Sequence, residues 1–179
     1  MMKKTSQITV NGMIAAMYTV LTVLPLLIPS VGQFLYGTIQ FRISELLCIL
    51  PFFMPSSAWG LFVGCAVSNY IGVSFGFTQP VDIVVGSLAT LAAAWIAGRI
   101  RHKWLVPLPT ILANGIIVGL MLTVLYPLGD MPFGLNALLF GAQVALGEAV
   151  VCYALGMPLL LLLEKKGFRK QKMLESIRR

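Results

Sequence analysis

Residues 135–163 read LNALLFGAQVALGEAVVCYALGMPLLLLL, and Glu148 is the one charged side chain among them. A helix needs roughly 20 apolar residues to cross a bilayer, so this run is long enough with residues to spare. A carboxyl group inside such a helix costs at least about 2.5 kcal/mol on insertion scales, which makes it a functional-site hypothesis by default. Outward from that run the pattern repeats. Residues 8–163 are almost continuously apolar, and most of their charges fall in the gaps between apolar runs.

The chain has 179 residues, of which 58% are hydrophobic and 11% charged. Soluble domains carry about 25% charged residues, so this supply cannot cover a water-facing surface. Six spans use about 120 residues and leave about 60 for loops and tails, with no room for a nucleotide-binding or catalytic domain. The prediction is an all-α integral membrane protein, a single transmembrane domain over 1–179. Its helices fall near 8–28, 41–54, 57–70, 81–100, 109–126 and 135–163, followed by a basic tail over 164–179. Pro51, Pro55 and Gly60 leave the boundary between the second and third helices open to other partitions.

The net charge of +7 is explained by orientation. Nine of the thirteen basic residues lie in Lys3–Lys4 and Lys165–Arg179, and three more are Arg99, Arg101 and Lys103. Cytoplasmic loops collect Lys and Arg in this way, which predicts cytoplasmic N- and C-termini and needs no nucleic-acid partner. Asp82 and Asp130 fall in the loops assigned outside, and Arg42 is the one basic exception. The tail is also suited to touch anionic headgroups. Lys3–Lys4 before an apolar run resembles a signal peptide, but the small-residue cleavage pattern is missing, so the expectation is a retained first helix. Cys48, Cys65 and Cys152 read as small buried hydrophobes, and His102 as a solvated loop residue.

Small residues recur four apart at Gly12 and Ala16, Gly60 and Gly64, Ala89, Ala93 and Ala97, and Gly115 and Gly119. Such stripes let helix backbones approach closely in lipid, and most are expected to pack within the protein. The first, near the terminus, is also a candidate docking face for another membrane protein.

Glu148 is the first candidate for ligand contact. It reads either as a protonated or hydrogen-bonded structural group, or as a group turned toward a cavity. Arg42 and Glu45, three apart, can meet on one helix face and neutralise each other. Asp82 follows Pro80, where a helix start favours an acid. Asn69 and Tyr70 close the third helix, and Gln143 lies one turn outward of Glu148. Under the proposed topology Arg42, Glu45, Asn69, Asp82, Gln143 and Glu148 share the outer half and suggest a pocket open to the outside. Asn114 falls nearer the inner end, as a packing hydrogen bond. Phe34, Tyr36, Phe75 and Phe77 sit in the outer loops, as a lid or as interface anchors. No phosphate loop, HExxH or other metal-ligand set is present, and His102 lies in the wrong loop for a catalytic dyad. Neither a catalytic nor a metal site is expected.

The runs Gln40-Phe-Arg-Ile-Ser-Glu45-Leu-Leu, Gly60-Leu-Phe-Val-Gly-Cys65-Ala-Val-Ser-Asn69, Asp82-Ile-Val-Val-Gly-Ser-Leu-Ala-Thr-Leu91 and Gly147-Glu148, in this order, resemble the QueT family. That resemblance covers nearly all of residues 15–163. It implies a substrate-binding (S) component of an energy-coupling factor transporter: a six-helix bundle in the bacterial plasma membrane that captures a 7-deazaguanine precursor of queuosine from outside. The implied partners are a transmembrane coupling protein and two ATPases, which hydrolyse ATP, so this chain needs no cofactor of its own. Family members present a small-residue AxxxA pattern on helix 1 to the coupling protein. The nearest equivalents here are Gly12 with Ala16 and Ala15 with Thr19. In such a site Glu148 or Glu45 accepts the N–H donors of the base, Asn69 or Gln143 reads a carbonyl, and Tyr36, Trp59 or Tyr70 stacks on the ring. The alternative is a stand-alone secondary transporter or channel for a small solute.

Overall fold

The computed structural model describes residues 4–28 and 41–168, and the regular structure in both segments is helical. Helix α1, Lys4–Val23, continues into a 3₁₀ turn, Leu24–Leu27, where Pro25 ends the α-helical bonding. Helix α2 is a ten-residue 3₁₀ segment, Ile43–Phe52; α3 is Ser57–Ser74 and α4 is Pro80–Ala97. The composite α5 runs Leu108–Ala113, a π turn Asn114–Val118, then Gly119–Leu125. The composite α6 runs Phe133–Val151, a π turn Cys152–Gly156, then Met157–Lys165. Four helices among the described residues are long and apolar enough to cross a membrane: those over 5–27, 80–97, 103–125 and 133–165. The α2 segment is too short for that, and α3 carries Ser68 and Asn69 in its C-terminal half.

Two boundaries depart from the sequence reading. The second helix is expected over 41–54 as an α-helix but forms as a tighter 3₁₀ segment. Residues three apart eclipse in a 3₁₀-helix, which stacks Glu45, Cys48 and Pro51 in one column. That stacking lets the Cys48 thiol donate to Glu45 Oε2 at 2.7 Å. The third helix runs four residues past the expected end at Tyr70. It stops in a Schellman motif: Gly76 N–H donates to Val73 O at 3.0 Å and Phe77 N–H to Gly72 O at 2.9 Å. Gly76 supplies the required left-handed backbone at φ +76°. The next helix starts almost at once, with Pro80 in its first turn and Gln79 N–H donating to Asp82 Oδ2 at 3.1 Å.

Small residues set how closely the helices approach. A Cβ on Gly60 would lie 2.7 Å from Asn11 O, and one on Gly64 would lie 2.7 Å from Tyr18 Cβ, so α3 packs backbone to backbone on α1. A Cβ on Gly119 would lie 2.6 Å from Gly141 Cα, locking α5 to α6. Gly156 brings α6 against α2 at Leu46 and Ile49. At the basic end, the Lys103–Glu164 ion pair (2.9 Å) and the Tyr153 hydroxyl donating to Trp104 O (3.0 Å) tie the loop before α5 to α6. His102 is exposed there.

Candidate functional site

Polar side chains from all six helices meet inside the bundle. Glu45, fully buried on α2, accepts from the Tyr18 hydroxyl of α1 at Oε1 and from the Cys48 thiol at Oε2. Its backbone carbonyl faces the Cys152 thiol of α6 at 3.7 Å. One turn further along α1, the Thr22 hydroxyl donates to Ser44 Oγ at 2.7 Å. The cysteines are buried and free of disulfides, as expected, and their sulfurs also make hydrogen bonds. Cys65 Sγ accepts from the Thr90 hydroxyl at 3.4 Å and from the Asn69 amide at 3.5 Å.

Glu148 is 3% exposed. Its Oε1 accepts from Asn114 Nδ2 at 2.9 Å, and its Oε2 is buried with no protein donor. Asn114 heads the π turn of α5, and Glu148 stands one turn before the π turn of α6. Such single-turn widenings re-aim side chains and are frequent at functional sites. The hydrogen bond expected of Asn114 is therefore made to Glu148 itself, which brings the amide into the site. Along its own helix Glu148 has no basic neighbour, but the fold brings the charges of Arg42 and Glu45 to act on it.

A second focus lies around Gly86 of α4. A Cβ there would sit 3.1 Å from Asn69 Nδ2, 3.7 Å from Asp82 Oδ1 and 4.0 Å from Arg42 Nη1. Glycine thus lets α2, α3 and α4 converge closely at this point. Asn69 Nδ2 donates to the Asp82 backbone carbonyl at 2.8 Å. Asp82 has one oxygen in the helix cap, while Oδ1 is buried with no protein donor. Gln143 is half-buried, and its Oε1 is likewise sealed from solvent without a protein donor. Three buried carboxyl groups accompany one buried guanidinium, a set suited to a neutral or cationic solute rich in N–H donors.

Of the residues singled out from sequence, the fold thus buries Arg42, Glu45, Asn69, Asp82 and Glu148 together. Tyr70 and Trp59 do not join them: they are 65% and 60% exposed on the outside of α3. Tyr36 lies outside the described residues. The helix 1 candidates divide. Gly12 and Ala16 are exposed beside Met13 and Met17, and a Cβ on Gly12 would meet nothing within 4 Å. Ala15 and Thr19 instead face α3, with Thr19 Oγ1 donating to Gly64 O at 3.3 Å and the Ala15 backbone against Gly64. They are internal packing residues, since the same small-residue spacing also serves the α1–α3 contact.

Sequence reading did not place Tyr18, Cys48, Asn114 or Gly86 at the site. A signal existed for Tyr18, because a phenol buried in an apolar helix needs a partner. None existed for Gly86, whose importance depends on three helices meeting beside it.

Apolar helices long enough to cross a bilayer, closed around buried acids, amides and a guanidinium, define a polytopic membrane protein with an internal polar site. The chain belongs to the QueT transporter family, whose model matches residues 8–165. It is similar to the "Queuosine precursor transporter QueT" of Lactococcus lactis subsp. cremoris (strain MG1363), with 35% identity over 88 residues. That alignment takes in 49% of this chain and 47% of the relative, so the chain spans about half the length of the curated protein it matches. No solved structure matches the chain at a significant level. The protein is accordingly a multi-pass transporter-family member of the bacterial plasma membrane.

Proposed function

We propose that this protein is the substrate-capturing component of an ATP-driven importer for a 7-deazaguanine precursor of queuosine. The observation that carries the reading is the sealed Glu148 Oε2, a carboxylate oxygen without a protein donor in a member of a transporter family. A buried acceptor left without a donor costs about 1–3 kcal/mol, so a ligand that supplies the donor is favoured there. A 7-deazaguanine offers adjacent N–H donors on its Watson–Crick edge, and charge-assisted bonds to a carboxylate are the stronger class. Asp82 Oδ1 and Gln143 Oε1 add acceptors. Glu45 holds the architecture, because both its oxygens are already taken by Tyr18 and Cys48.

In this reading the chain crosses the membrane six times with both termini cytoplasmic, as its Lys and Arg distribution favours. Energy comes from a coupling protein and two ATPases, docked on the exposed Gly12 and Ala16 face of α1. Purification in mild detergent tests both halves. Mass spectrometry of retained small molecules should return a deazapurine, and the coupling protein and ATPases should co-purify. Recovery of a flavin, thiamine or biotin refutes the substrate. A chain that transports in vesicles without any ATPase is the stand-alone carrier instead.

A further inference from the structure

A groove of about 690 Å³ runs between α3 and α4 on the outside of the bundle, away from the buried polar site. Trp59, Leu88, Leu91, Ala92 and Trp95 line it, and Arg99 stands at its mouth. Gly98 closes its end by packing the last turn of α4 on Pro51 O, where a Cβ would lie 3.3 Å away. The Arg99 guanidinium lies 3.5 Å over the Trp95 ring, and its Nη1 donates to Trp95 O at 2.9 Å. The stack fixes the cation in place, and one bond of five possible N–H donors is spent in doing so.

We infer that this groove binds an anionic phospholipid, with an acyl chain along the Leu88–Ala92 wall and the headgroup phosphate on Arg99. Two observations converge on that occupant. Trp59 and Trp95 are 60% and 61% exposed, and amphipathic indole rings anchor at headgroup depth. Arg99 lines the mouth and begins a basic run continued by Arg101, while Lys103 is taken up by Glu164, so the mouth of the groove is cationic while its wall is apolar. Basic pockets between membrane helices are the usual seats of acidic headgroups, and planar guanidinium matches phosphate geometry. A partner helix fits less well. Close helix contact in lipid uses small residues, and two indoles on the rim hold a second backbone away. The small-residue face for such a contact is on α1, at Gly12 and Ala16.

Native mass spectrometry of the full-length protein, reconstituted in vesicles of equal phosphatidylglycerol and phosphatidylcholine and then extracted, tests the assignment. The wild type should retain phosphatidylglycerol in preference to phosphatidylcholine. Arg99→Gln should lower that retention about fivefold, the contribution of one basic residue near an anionic surface. Ala92→Trp, which fills the wall and leaves every charge in place, should lower it as well. Lys165→Gln, a loss of equal charge elsewhere at the basic end, should leave it unchanged. The inference fails if Arg99→Gln and Ala92→Trp both keep wild-type retention, or if Lys165→Gln lowers it equally. It also fails if a photo-crosslinker at Trp59 captures a polypeptide in native membranes instead of lipid.

Discussion

Replacing Glu148 with Gln separates ligand recognition from folding, and the same change at Glu45 does the reverse. Gln is nearly the same shape as Glu, so the Glu148→Gln variant keeps an acceptor for Asn114 Nδ2, the 2.9 Å bond that holds the side chain. The second oxygen, which has no protein donor, becomes an NH₂ group. Against a ligand edge that presents N–H donors, an acceptor has turned into a donor. One charge-assisted bond is lost, worth about 1.5–3 kcal/mol, and one pair of donors is left facing each other. At about 1.4 kcal/mol per tenfold, affinity should fall roughly 10- to 150-fold while thermal stability in detergent stays near wild type. At Glu45 both oxygens receive protein donors, from Tyr18 and Cys48. The Glu45→Gln variant can satisfy only one of them and also removes a counter-charge from the neighbourhood of Arg42. It should cost about 1–3 kcal/mol of stability, with any loss of binding following from the fold. Isothermal titration with a 7-deazaguanine ligand, paired with thermal melts of the ligand-free proteins, reads both quantities. Unchanged affinity in Glu148→Gln, or equal melting losses in the two variants, refutes this division of roles.

Gly64→Leu forces a side chain into Tyr18 and the Ala15 backbone and should destabilise by about 1–3 kcal/mol or more, seen as early melting. Gly12→Leu meets no neighbour and should melt like wild type, yet reduce co-purification of the coupling protein if the α1 face is the docking surface. Gly86→Ala places a methyl 3.1 Å from Asn69 Nδ2 and should weaken the Asn69–Asp82 bond, lowering ligand affinity more than melting temperature; titration and melts side by side check the order. Asn114→Ala strips Glu148 of its protein donor and should cost about 1–3 kcal/mol in a melt, with ligand restoring more stability than it gives the wild type.

The membrane class and the candidate acids were legible because they depend on local properties. A run of apolar residues is costly in water wherever the chain folds, and a carboxyl group inside that run marks itself by composition alone. Glu148, Glu45, Arg42, Asn69 and Asp82 could be named on that basis. Their division of labour could not, because a hydrogen bond is a relation between distant segments. Sequence pairs Glu45 with Arg42 and leaves Glu148 alone, yet in the fold Glu45 has both oxygens filled from α1 and α2, and Glu148 keeps one oxygen without a protein donor. Helix counting at uniform pitch does not pair Asn114 with Glu148, since two π turns shift what faces inward. The same limit applies at helix 1, where Ala15 and Ala16 are adjacent and chemically identical. Only the position of α3 makes one a packing residue and leaves the other on the free face. Apolar patterning fixed that the chain lives in a bilayer; the packing of six helices decided which buried polar atoms were left without a protein partner, and so which are candidates for a ligand.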